Sequence, residues 1–268
     1  MDHRPASLSL KLLATVMFVF LLAPLLVVVP MSFSGDPFMA FPPSSWSTRW
    51  YGAIFQDKKM VDAFMVSLWL GLSVTALSLM IAVPAAYALT RLKLRGSGLL
   101  LSIFTAPLLL PTIVLGLGLL IVLAPMGLLG SFSGLLLCHL VVTLPYALRV
   151  LITSLESLPR AMEEAAATLG ASPLTVFTRV TLPMMSPGIL AASVLSFLVS
   201  FDEVVISLFI TGPKMSTLPV TMFHHVEDRA DPMVAALSVL LVGLTLLVVL
   251  VVDRSIGLGK VFVKQAAP

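Results

Sequence analysis

The segment Pro159–Pro183 reads PRAMEEAAATLGASPLTVFTRVTLP. It is polar, punctuated by Pro and Gly, and lies between long apolar runs. Pro159 suits the first turn of a helix, where its missing N–H costs nothing. Glu163 and Glu164 then sit near the positive end of the helix dipole. Ala161, Ala165, Ala166 and Leu169 supply a small, smooth face. Gly170 can take the left-handed conformation that ends a helix. Ser172-Pro173 restarts one as N-cap and first helical residue. Leu174, Phe177 and Thr181 recur at helical spacing, and Leu182-Pro183 is expected to stop the second helix. Two short helices joined by a sharp bend form a shape able to plug into a groove. Shape alone leaves open a linker lying on lipid headgroups.

The surrounding chain says where this segment sits. Its 268 residues are 59% hydrophobic and 11% charged, with a mean hydropathy of +1.08. A soluble chain needs far more polar surface, so this is an integral membrane protein. The apolar runs are helix-length for a ~30 Å hydrocarbon core, and none shows the alternation of barrel strands. The expected fold is therefore all-α: one domain over 1–268 with spans at about 11–32, 64–88, 99–124, 133–152, 186–210 and 233–252. The run after Arg4 is too long for a typical signal core and is read as a span. The single Cys138 permits no internal disulfide.

Lys and Arg set the orientation. Arg4, Lys11, Arg91, Lys93, Arg95, Arg149, Arg160, Arg179, Arg254, Lys260 and Lys264 fall on one side. Arg49, Lys58, Lys59, Lys214 and Arg229 fall on the other. Eleven against five places both termini and the loop 153–185 in the cytoplasm. Trp46, Trp50 and Tyr51 cluster in the first outer loop, as an interfacial anchor would.

Glu164-Ala165-Ala166, Gly170 six positions after the Glu, Val180 and Leu182-Pro183 resemble the EAA loop of bacterial ABC importer permeases, with the family spacing intact. The resemblance implies the type I importer permease architecture. It implies an inner-membrane subunit paired with a second permease and seated on two copies of an ABC ATPase. It also implies a periplasmic substrate-binding protein as donor and membrane lipid as surroundings, with no nucleic acid. The loop would dock into the ATPase. Glu163 and Glu164 would lie at the contact, Glu164 as polar contact or cap, Gly170 as bend, and Ala165, Ala166 and Phe177 as packed surface before Leu182 and Pro183. No G-x-x-x-x-G-K-[ST] occurs, so the chain is expected not to be an enzyme and to hold no cofactor. ATP and Mg would belong to the partner ATPase.

Asp202 and Glu203 fall inside the fifth run. A carboxylate in a lipid-facing helix centre costs roughly 2.5–3.5 kcal/mol, so these two are expected to face a pathway or a partner subunit. Taken as one helix from Ser186, the run lifts Asp202 about 24 Å, into the outer half, and makes it the favoured pathway residue with Glu203 second. Ser200-Phe201-Asp202-Glu203-Val204-Val205-Ile206-Ser207, Thr211-Gly212-Pro213 and Thr217-Leu218-Pro219 look like the shorter permease of spermidine/putrescine systems. The resemblance implies polyamine import by alternating access. Related permeases carry other organic cations, opines, phosphonates or ferric iron. A carboxylate can replace water lost by an ammonium group, which favours a cation.

Other features weigh less. Pro107 and Pro111 suggest a kinked third span, either rocking or static. Gly71, Ser73, Ala76 and Ser78 suit close helix packing. His224, His225, Glu227, Asp228 and Asp231 lie in an outer loop, 212–232, without usual metal-ligand spacing, so no metal is expected there. A relay of His139, Asp202 and Glu203 would make an ion-coupled secondary transporter, or Asp202 and Glu203 an intramembrane enzyme. The first leaves 159–183 unexplained, and the second needs paired catalytic groups at matched depth, which only Asp202 and Glu203 offer.

Overall fold

A computed structural model describes residues 8–92 and 94–256. Arg4, Lys93, Lys260 and Lys264 of the cation count lie outside the described residues. In chain order the helices are α1 (Leu8–Ser32), α2 (Arg49–Gln56), α3 (Lys58–Arg91), α4 (Ser97–Thr105) with a 3-10 turn (Ala106–Leu109), and α5 (Thr112–Leu123). They continue as α6 (Phe132–Glu156), α7 (Arg160–Thr168), α8 (Pro173–Val176) with a π-turn (Phe177–Thr181), α9 (Leu182–Met184) and α10 (Ser186–Phe201). The last are α11 (Val205–Ile210), α12 (Leu218–Arg229) and α13 (Met233–Ile256). Among the described residues only isolated bridges, Ser34–Trp46 and Gly212–Met215, depart from helix and loop.

Among them, α1, α3, α6 and Met233–Leu250 of α13 are each long and apolar enough to cross a membrane alone. By length and composition the number rises to as many as six if each of two bent pairs counts as one span: Ser97–Leu109 with Thr112–Leu123, bent by 104°, and Pro173–Met184 with Ser186–Phe201, bent by 67°. The third run, expected as one kinked helix over 99–124, is thus broken. Leu110, the residue before Pro111, is extended at φ −89° and ψ 140°. The proline ring disfavours helical backbone at the preceding residue.

Three further expectations are corrected. Pro183 does not stop the second short helix but sits in the first turn of α9. Its ring would clash with the carbonyl four residues back, and the wider π-turn at Phe177–Thr181 makes room ahead of it. The fifth run is not one helix, because α10 ends at Phe201 and α11 restarts at Val205. Much of the outer loop 212–232 is helix α12, with Pro219 in its first turn.

The chain divides into two compact units, Met1–Val61 with Met222–Pro268, and Asp62–Thr221. In the first, α1 packs along α13, and α13 also meets α2. None of the apolar window of α1 is buried within the chain, which leaves a greasy surface fit for lipid. Trp50 Nε1 donates to Ser34 O at 2.9 Å, and the Tyr51 and Ser32 hydroxyls lie 2.8 Å apart. These two aromatics therefore pin the chain to itself, whereas Trp46 is 69% exposed. Ser44 and Ser34 donate to Asp36, and the Ser44 hydroxyl does most to hold its carboxyl below the usual range.

In the second unit, α6 is the central post, with α10 packed along it and α11 against α5 and α6. Two apolar clusters stack along it. One joins Ala82, Ala86, Leu148, Leu151, Leu155 and Ala192. The other joins Leu70, Val74, Leu135, Cys138, Ile206 and Ile210. Between them in sequence on α3, α6 and α10 lie buried Ser78, Thr143, His139, Ser196 and Ser200. The Ser78 and Thr143 hydroxyls pair at 2.8 Å. The α6–α10 crossing depends on Gly188, where an added Cβ would overlap Ser154 Oγ and Cβ. Gly188→Ala is expected to cost about 1–3 kcal/mol through overpacking, read as a lower unfolding temperature in detergent.

Candidate functional site

The segment 159–183 folds as two short helices about a glycine bend. Gly170 takes φ +86°. Its N–H donates to Ala167 O at 2.9 Å, and the Ala171 N–H donates to Ala166 O at 3.1 Å. This is the Schellman pattern that satisfies the last carbonyls of α7. The Ser172 hydroxyl then caps α8 by accepting the Thr175 N–H at 3.3 Å, with Pro173 following it.

The two adjacent glutamates diverge, as neighbours on a helix must. Glu163 turns inward. Arg91 Nε donates to its carboxylate at 3.0 Å, and Thr181 Oγ1 donates to it at 2.8 Å. Arg91 and Glu163 side chains are only 7% and 15% exposed. Arg91 Nη2 also donates to Leu155 O at 2.9 Å and Leu158 O at 3.1 Å, closing the C-terminal end of α6. Arg160 Nη2 donates to Thr90 O at 2.9 Å. One guanidinium thus ties the end of α3 to α6 and α7, and Glu163 passes the tie on to Thr181 just before α9. The sequence reading set both Glu163 and Glu164 at the ATPase contact and missed Arg91 and Thr181. The available signal was an arginine ending an apolar run, the first of the basic residues Arg91, Lys93 and Arg95 and at a position suited to capping carbonyls.

Glu164 is exposed, as is Ala165, while Ala166 is half-buried. Phe177, expected on the outer packing surface, instead packs edge-on against Tyr87 with centroids 4.8 Å apart. The exposed apolar side chains of the bend are Met162, Leu169 (90% exposed) and Leu174. Leu182 is half-buried and Pro183 exposed.

The second candidate centre is the gap between α10 and α11. Asp202 is the residue that caps the C-terminus of α10, at φ −94° and ψ 2°, and its N–H donates to Leu198 O. Its side chain is exposed. Glu203 is half-buried, and its Oε1 accepts the Ile206 N–H at 3.0 Å. Glu203 therefore caps the restart, while Asp202 is left facing outward from this chain. Phe201, the residue before Asp202 in sequence, stacks on Phe197 at 5.5 Å and meets Phe64 edge-on at 6.1 Å. His139 does not join the two carboxylates; its ring nitrogens bond Ser200 and Ser207. On α12 and its exit, His225 pairs with Asp231 at 3.0 Å, and Asp231 also accepts the Met233 N–H at the start of α13. Among the described residues no three His, Cys, Asp or Glu side chains converge.

The apolar helices and the bent helix pair of 159–183 fit the membrane subunit of an ATP-binding-cassette importer, and the family match shows that class. The chain belongs to the family of binding-protein-dependent transport system inner membrane components, which it matches over residues 78–258. It is 36% identical over 233 residues to the putrescine transport system permease protein PotI of Escherichia coli, covering 84% of this chain and 83% of that protein. It is 29% identical over 236 residues to the spermidine/putrescine permease protein PotC of Escherichia coli, covering 88% and 89%. The sulfoquinovosyl glycerol permease protein SmoH of Agrobacterium fabrum is 32% identical over 203 residues, covering 75% and 71%. In fold the chain is similar to a bacterial ABC transporter for the acidic polysaccharide alginate, with TM-score 0.66 at 18% identity over 92% of this chain and 93% of that one. The chain is a type I permease of the inner membrane and not an enzyme. ATP hydrolysis belongs to a separate subunit, and permeases of this family work with a substrate-binding protein.

Proposed function

We propose that this permease imports polyamines, putrescine or spermidine, by alternating access. The observation that carries the reading is the 36% identity to a putrescine permease across 84% of the chain. Asp202 supports it. An exposed carboxylate on this chain offers an ammonium group an opposite charge. In this reading the chain pairs with a second permease, rests on two ATPase copies that carry ATP and Mg, and receives solute from a periplasmic binding protein. The excess of Lys and Arg on the inner loops puts both termini in the cytoplasm. Glu164, Ala165, Met162, Leu169 and Leu174 form the face that enters the ATPase. Glu163, Gly170 and Phe177 hold that face in shape. ATP binding must favour one state of the spans through differential contacts at this face.

The similarity to a sulfoquinovosyl glycerol permease supplies a second reading, in which the cargo is a sugar derivative. ATPase stimulation by the loaded binding protein separates the two. The polyamine reading expects putrescine-loaded protein to stimulate hydrolysis and sulfoquinovosyl glycerol to have no effect. The reverse pattern overturns it.

A further inference from the structure

The break between α10 and α11 contains neither Pro nor Gly, so side chains must hold it. Ser200 lies one residue before the end of α10, and Ser207 lies in the first turn of α11. His139 of α6 stands between them, with Nδ1 2.9 Å from Ser200 Oγ and Nε2 2.9 Å from Ser207 Oγ. His139, Ser200 and Ser207 are all buried. The Ser207 hydroxyl donates to Glu203 O at 2.8 Å. A hydroxyl has one proton, and a carbonyl can only accept. Ser207 must therefore accept from the imidazole, which puts the ring proton on Nε2. In the neutral ring Nδ1 is then an acceptor, and the Ser200 hydroxyl donates to it. This arrangement pairs both ring nitrogens and both hydroxyls.

We propose that His139 is a positioning residue of the transport pathway: as the neutral Nε2–H tautomer it clamps Ser200 to Ser207 and thereby sets the α10–α11 break that presents Asp202. Two hydroxyls on opposite sides of the break, each bonded to an opposite edge of one ring, have their separation fixed by that ring. The ring itself is anchored in α6, between the Leu135–Cys138 cluster and Thr143. Asp202 and Glu203 lie inside the loop so closed. Glu203 adds a second lock by capping Ile206, and its backbone carbonyl completes the bridge through Ser207. The clamp explains a buried histidine that touches neither carboxylate side chain and so carries no proton between them.

The test uses the assembled transporter in lipid nanodiscs with 15N-histidine in this chain. His139 is assigned by loss of its signals in His139→Gln. The expected spectrum shows a protonated Nε2 and an unprotonated Nδ1. A protonated Nδ1, in either the other tautomer or the imidazolium, overturns the clamp. The functional readout rests on the polyamine reading above. Putrescine uptake per ATP hydrolysed is expected to fall roughly tenfold in Ser207→Ala and in His139→Gln, the worth of about one net hydrogen bond. Equal losses of uptake and hydrolysis would make His139 merely structural and overturn the positioning role. Failure of the wild-type transporter to take up putrescine would remove the polyamine reading alone, because the tautomer is read without cargo.

Discussion

Arg91→Ala is expected to loosen the coupling segment by about 3 kcal/mol or more, because it breaks a largely buried ion pair and strips two further carbonyls of their donor. The guanidinium holds Glu163, Leu155 O and Leu158 O at once. Glu163→Ala is expected to cost less, since Arg91 keeps both carbonyl bonds. Glu163→Gln is expected to cost least, because the amide oxygen still accepts from Thr181. Glu164→Ala is expected to leave the permease fold intact and weaken retention of the ATPase, because this side chain is exposed. Thermal unfolding of the purified permease and co-purification of the ATPase separate the two glutamates. A larger loss of permease stability from Glu164→Ala than from Glu163→Ala would reverse their assignment.

Asp202→Asn is expected to lower polyamine uptake on the order of 10- to 100-fold, the range for losing a hydrogen bond to a charged group. Asn keeps the size of the side chain and the end of α10, so the ATPase is expected to co-purify as in wild type. Glu203→Gln is expected to act differently. Its amide oxygen can still cap Ile206 at the position Oε1 now holds, so uptake is expected to stay within a few-fold. Glu203→Ala, which removes the cap, is expected to cost about 1 kcal/mol of stability. Uptake assays and melting curves on the same preparations check this order. Glu203→Gln falling as far as Asp202→Asn would assign the pathway to Glu203 instead.

What could be read in the sequence follows from how local the cause is. Apolar length shows where helices cross, and Pro159, Gly170 and Ser172-Pro173 carry their turn chemistry with them. The break at Pro111 was half legible: the proline was visible, yet a kink and a break of 104° begin with the same missing N–H. The break after Phe201 was not legible, because its caps are a glutamate and a histidine bridge spanning 61 and 68 residues. Helicity through Leu182-Pro183 was misread for one reason. A proline starts a helical turn as readily as it stops one, and a neighbouring π-turn or cap decides which. Motif spacing singles out Glu164, but nothing in the sequence shows that Glu163 turns inward. The partner that separates them, Arg91, lies 72 residues away at the end of another helix. The residues whose roles come from distant helices are the ones that hold the site.

The central claim, ATP-driven polyamine import through this chain, is tested most directly by uptake of labelled putrescine into proteoliposomes. These hold this permease, its partner permease and the ATPase, with binding protein outside and nucleotide within. The account predicts uptake that requires ATP and the ATPase subunit, persists when the proton gradient is collapsed, and stops with a non-hydrolysable analogue. Putrescine entering vesicles that lack the ATPase, or following the proton gradient alone, would contradict it.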